Sequence, residues 1–158
     1  MLTGKPAPEL GPIKAWKNGS AVRLADLRGK PVILHFAGAY PGPALPKLAA
    51  LHEEFSKAGL VIIGLYNCDS MKQLEERFLE TSRKYGGEPD VPFRLAVDGG
   101  KGRVAEGTNC RMPGDTYAAY DIKAYTTTVL IDREGKVAET LNLSQAREKL
   151  ESLLGGTK

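Results

Sequence analysis

The side chains best suited to covalent chemistry in this chain are two thiols, Cys68 and Cys110, and two imidazoles, His35 and His52. A thiolate can attack a disulfide or hold a soft metal. Two cysteines are too few for a disulfide framework. Neither they nor the histidines stand at metal-ligand spacing. No nucleophile–base pair and no carboxylate pair can be read along the chain. The sequence therefore implies no metal and no cofactor, and the cysteine count leaves the compartment open.

The elements that must position these groups follow from apolar patterning. Residues 1 to 19 contain three prolines and read as an extended lead-in. PVILHFAG, from Pro31, is a near-continuous apolar run and suits a strand buried on both faces. Leu45, Leu48, Leu51, His52 and Phe55 then recur at helical spacing, with Gly59 as a left-handed stop. Leu60 to Tyr66 predicts a second buried strand. Asp69 or Ser70 can cap a helix from Met71 to Tyr85. Phe93 to Val97 is a third strand, and residues 99 to 107 form a glycine-rich stretch with room for a helical turn. Residues 109 to 116 read as a polar loop. TTVLID, residues 127 to 132, and Lys136 to Thr140 flank a hairpin turn. Ser144 caps a last helix, Gln145 to Leu154, and residues 155 to 158 are a flexible tail. The order predicts one α/β domain over 1–158, a mixed sheet with helices on both faces.

Of the 158 residues 42% are hydrophobic, which argues against disorder. Net charge is +3, with 22 basic and 19 acidic residues scattered along the chain, so no nucleic-acid footprint is indicated. Apolar runs are too short to span a bilayer, so no membrane insertion is expected. MLTGKPAPEL lacks a signal-peptide pattern. A soluble domain, or a piece of a longer protein, is expected.

GKPAPEL, LADLRGKPVILHFAGAY, LPKLAALHEEFSKAGLVIIGL and TTTVLIDREGKV together resemble the thioredoxin-fold redoxins of the TlpA/ResA and AhpC/TSA group. The likeness spans roughly residues 4 to 154. It implies a thioredoxin-like fold and membership of a thiol-disulfide oxidoreductase family. Relatives in that group commonly work outside the cytoplasm, which the resemblance alone carries over to this chain. The resemblance also sets the group's WCxxC motif on Tyr40, Pro41, Gly42, Pro43 and Ala44, with Pro41 and Ala44 at the two cysteine positions. The proline that is normally cis falls on Thr126. A cis bond before a non-proline residue costs several kcal/mol, which predicts a trans peptide before Thr126. Disulfide exchange needs an attacking thiolate and a resolving thiol. Proline and alanine supply neither, and the peroxidase variant finds no cysteine in this region. Tryptophan, both cysteines and the proline are all replaced, a pattern of natural divergence rather than of a designed knockout.

The resemblance brings Cys68 and Cys110 towards the same sheet edge, where open α/β sheets bind ligands. Three readings stay open for them: two unpaired thiols, a structural disulfide, or a relocated redox pair. A disulfide would close a span of 42 residues, worth about 4 kcal/mol in the chain-entropy model. His35 stands where relatives often carry Asp or Asn below the cysteines, and reads as a neutral, hydrogen-bonded core histidine. Pro46 matches a family proline and predicts a kink in the first helix. Arg111, Tyr117 and Tyr120 lie in a stretch longer than the family's, either a decorated loop or part of a recognition surface. The expectation is a redox-inactive binding or structural module, alone or as part of a larger protein, engaging a protein or peptide at the former active-site edge. The alternative is an oxidoreductase using Cys68 and Cys110. A non-redox enzyme ranks third.

Overall fold

The computed structural model describes residues 2–37, 44–87, 90–100, 103–104, 111–112, 114–122 and 126–155. In chain order the elements are β1 (Ile13–Lys17), β2 (Val32–Phe36), α1 (Leu45–Phe55), β3 (Val61–Tyr66), α2 (Met71–Tyr85) and β4 (Arg94–Asp98). They continue with β5 (Arg103–Val104), β6 (Arg111–Met112), α3 (Asp115–Ala119), β7 (Thr127–Ile131), β8 (Val137–Thr140) and α4 (Ala146–Gly155). Six strands form one mixed sheet in the order β1-β4-β3-β2-β7-β8. The β2, β3 and β4 strands run parallel, while β1, β7 and β8 are antiparallel to their neighbours.

The central strands are buried along nearly their whole length, as their unbroken apolar runs require. The crossovers β2–α1–β3 and β3–α2–β4 step the same way across the sheet. Right-handed connections therefore lay both helices on one face. The packing agrees: Leu48 of α1, Leu74 of α2 and Leu150 of α4 share a core with Ile33, Ile62 and Leu130. The other face is covered by shorter pieces. Leu24 and Leu27 of a 3-10 turn, and Tyr117 of α3, pack on Leu34, Ile63 and Val129. Helices thus cover both faces, with the three long ones on the same side.

Local signals explain the helix ends. Ser70 Oγ accepts from the Gln73 N–H at 3.1 Å, and Gln73 Oε1 accepts from the Asp69 N–H at 2.8 Å. That pairing is a variant of the capping box. Gly59 ends the turn after α1 at φ +114°, a conformation natural only to glycine.

Several expectations need correction. The proline-rich lead-in contains β1, an edge strand on β4; its prolines flank the strand rather than prevent it. Pro46 lies in the first turn of the described α1, where its missing N–H costs nothing, rather than in a kinked interior. Ser144 does not cap α4. Its N–H and its hydroxyl both turn back onto Asn142 Oδ1, at 3.0 and 2.8 Å, in an Asx turn. Within 99–107, Arg103–Val104 is a strand paired with Arg111–Met112, not a helical turn. The 109–116 loop accordingly holds β6 and the start of α3. Of the expected tail, Gly155 ends α4 and residues 156–158 lie outside the described residues.

Candidate functional site

The carboxyl ends of β2 and β3, the start of α1 and the start of β7 meet along one edge of the sheet. Ala44 precedes α1 in helical conformation and is half-buried. Phe36 pairs with Thr127, so Thr126 lies just past the carboxyl end of β2, exposed. Tyr40, Pro41, Gly42 and Pro43 lie outside the described residues, as do Cys110 and the peptide bond before Thr126.

Beneath this edge His35 is 1% exposed and pairs in register with Gly64 on one side and Thr128 on the other. A 2.9 Å hydrogen bond joins His35 Nδ1 to Thr128 Oγ1. Burial lowers the imidazole to a pKa of about 4, so the ring is neutral at pH 7. Among the described residues its hydrogen-bond partner is the Thr128 hydroxyl.

Cys68 follows β3 directly and is buried, a free thiol on the face that carries the three long helices. Arg77 reaches it from the second turn of α2, with Nη1 donating to Sγ at 3.1 Å. Burial pushes the thiol pKa up; the Arg77 charge and hydrogen bond pull against it. Two residues earlier, the Tyr66 hydroxyl is buried without a hydrogen-bond partner. Burial, and then the nearby Cys68, raise its pKa. The local balance thus favours a protonated thiol, the opposite of the exposed, electropositive setting of a reactive one.

Tyr117 and Tyr120 are not a recognition surface. Tyr117 is fully buried, and its hydroxyl donates towards the carbonyl oxygens of Ala37 and Leu65. Tyr120 is 6% exposed and donates to Pro8 O at 2.7 Å. Both rings pack on Phe36, with centroids 5.1 and 5.3 Å away. The side chain of Arg111 lies outside the described residues. Among the described residues no group of three or more His, Cys, Asp or Glu could hold a metal ion, and no helix is long and apolar enough to cross a membrane.

Neither Arg77 nor the brace formed by Tyr117 was legible from residue types and spacing. The TYAAY spacing at 116–120 was the one available sign that these tyrosines sit on a helix.

Known proteins share this arrangement. The sequence profile of the AhpC/TSA family matches residues 3–140. The thiol-disulfide oxidoreductase ResA of Bacillus cereus is 29% identical over 157 residues, covering 98% of this chain and 78% of the relative. The ResA of Bacillus anthracis is 30% identical with the same coverage. The crystal structure of the thioredoxin domain of a thiol-disulfide oxidoreductase from Bacteroides vulgatus superposes with a TM-score of 0.67. It is 20% identical, with 98% of this chain and 99% of that chain covered. At that identity the likeness establishes the thioredoxin-like fold.

Proposed function

Because this chain belongs to the AhpC/TSA family, we propose that it keeps the redoxin scaffold while having given up thiol exchange at the CxxC position. In this reading it is a binding or structural module that engages a protein or peptide at the carboxyl edge of its sheet. One observation carries the reading: the motif's two cysteine positions hold Pro41 and Ala44, in a chain whose only thiols are Cys68 and Cys110. Proline has no nucleophile to offer, and alanine cannot resolve a mixed disulfide. A site of action outside the cytoplasm belongs to the same proposal and rests on the resemblance to the group.

Reduction of insulin by dithiothreitol tests the chemical half. The expected rate with this protein equals that of dithiothreitol alone. Acceleration by the wild type that disappears in a Cys68→Ser/Cys110→Ser variant overturns the reading. A photo-crosslinker tests the binding half. Placed at exposed Thr126, it should capture partner, whereas one at exposed Glu80 on α2 should not. Equal yields at the two positions would sink the edge assignment.

One contact favours a second reading, an oxidoreductase working through Cys68 and Cys110: the 3.1 Å hydrogen bond from Arg77 to Cys68, a cation that stabilises a thiolate. Alkylation after equilibration across a glutathione series separates the two. Labelling of both cysteines at every poise ends the second reading. A pair with a midpoint near about −200 mV supports it, and one reduced only below about −300 mV is structural.

A further inference from the structure

At the far end of the sheet, where β2 begins and β7 ends, a cleft of about 170 Å³ opens between the amino-terminal segment, the 24–27 turn and the β7–β8 hairpin. Its floor is apolar, made by the buried side chains of Leu24, Leu27, Val32 and Ile131. Four charged residues line it: Glu9, Arg28, Lys30 and Asp132.

The acids are engaged by backbone. Glu9 Oε1 accepts from the N–H groups of Leu24 at 2.6 Å and Leu10 at 3.0 Å, and its Oε2 from Ala25 at 3.1 Å. Asp132 Oδ1 accepts from the Glu134 and Lys136 N–H groups at 2.9 and 3.0 Å. The bases are not engaged. Arg28 and Lys30 are exposed, and their side chains make no hydrogen bond or ion pair among the described residues. The backbone that carries them is fixed: Lys30 N–H donates to Leu27 O at 3.0 Å and Gly29 N–H to Arg133 O at 2.8 Å.

We propose that this cleft binds a small monocarboxylate with a short aliphatic tail. The carboxylate sits on Arg28 and Lys30, and the tail lies over Leu24, Leu27, Val32 and Ile131. A guanidinium matches a carboxylate in a two-pronged fit. A dianion such as phosphate meets two resident carboxylate charges and leaves the apolar floor uncovered. The volume falls below the roughly 300–1,000 Å³ of drug-sized sites, which selects a short chain.

The test is a titration of octanoate into the intact protein, followed by amide chemical shifts. Saturable shifts confined to residues 24–30 and 131–135 are expected. Arg28→Ala/Lys30→Ala should weaken binding by about tenfold or more, in line with the loss of charge-assisted hydrogen bonds. 1-Octanol and inorganic phosphate should each bind the wild type weaker by a similar factor. Arg28→Gln/Lys30→Gln, which keeps three carbons of each stem and a polar end, guards against a packing effect and should lose affinity equally. The proposal is overturned by the absence of saturable shifts, by unchanged affinity in either double variant, or by phosphate or octanol binding as tightly as octanoate.

Discussion

The hydroxyl of Tyr117 lies 2.7 Å from the carbonyl oxygen of Leu65, pinning α3 to the carboxyl end of β3. The same hydroxyl reaches Ala37 O at 2.5 Å, while the Ala37 N–H donates to Leu65 O at 2.9 Å. One buried phenol therefore braces the point where β2 leaves the sheet, just before the segment proposed to stand in the place of CxxC. Tyr117→Phe keeps the ring against Phe36 and removes only the donor. Leu65 O retains the Ala37 amide, so the cost falls mainly on the Ala37 carbonyl. Stability should drop by about 1–3 kcal/mol, read as a lower urea midpoint at unchanged slope. An unmoved midpoint would show that the hydroxyl braces nothing.

Asp98 positions that brace. Its Oδ1 accepts from Thr116 Oγ1 at 2.7 Å, and its Oδ2 accepts from the N–H groups of Thr116 and Tyr117 at 3.0 and 3.2 Å. A carboxylate is the only side-chain end with acceptors on both oxygens. In Asp98→Asn the amide oxygen can keep the two N–H groups, but its N–H₂ then faces the Thr116 hydroxyl, which must give up its role as donor and become an acceptor. We expect a loss of about 1–3 kcal/mol, which for a chain of this size lowers Tm by several degrees. Gly114, at φ +90°, packs its Cα against the same carboxylate, and a Cβ there would overlap Asp98. Gly114→Ala should therefore unfold at a lower temperature too, and a variant as stable as the wild type would contradict this account of α3.

The sheet was legible in the sequence because its central strands carry unbroken apolar runs and its turns carry glycine. Ser70 and Gly59 marked helix ends because their roles are local. The Asx turn at Ser144 and the place of Pro46 are local, but the other features the sequence hid were settled by contacts between elements. Ile13–Lys17 is a strand because β4 offers an edge, despite the prolines before it. Tyr117 and Tyr120 resemble surface aromatics until the second face of the sheet is seen to lack a long helix, leaving them to fill it. Arg77 meets Cys68 only because the chain turns sharply between β3 and α2. That Cys68 and Cys110 are too far apart in sequence to form a CxxC motif is read from residue identity alone.

His35 makes the fold sensitive to acid. Its folded pKa of about 4 lies below the ordinary value near 6.5. The unfolded chain therefore binds this proton first as pH falls. The stabilisation is fully present above about pH 6.5 and is lost progressively down to about pH 4, up to about 3 kcal/mol. Below that both states are protonated and the loss stops. Denaturation midpoints across this window should fall more steeply in the wild type than in His35→Asn, which keeps a polar partner for Thr128. Parallel slopes in the two proteins would rule His35 out as the cause.

Cys68 should be a poor nucleophile that Arg77 makes less poor. Burial raises its pKa, and the guanidinium opposes the rise. Removing the cation should therefore move the thiol further up. In a Cys110→Ser background, Arg77→Gln is expected to displace the thiolate absorbance titration to higher pH and to slow alkylation at pH 8. A titration that does not move would mean that the 3.1 Å contact leaves the ionisation untouched.

On the proposed reading, the scaffold should still accept CxxC chemistry when the cysteines are supplied. Ala44 stands at the start of α1 in helical conformation, and the family pattern sets the first cysteine three residues earlier, at Pro41. A cysteine at a helix N-terminus gains thiolate character from the backbone N–H groups and the helix dipole. We therefore expect Pro41→Cys/Ala44→Cys, made with Cys68→Ser and Cys110→Ser, to form an intramolecular disulfide and to accelerate insulin reduction over dithiothreitol alone. Thr126 still occupies the place of the family's proline, so the rate should stay below that of an intact redoxin, and Thr126→Pro should raise it further. If the engineered pair cannot close a disulfide, the helix start is no longer shaped for exchange, and the divergence reaches beyond the loss of two thiols.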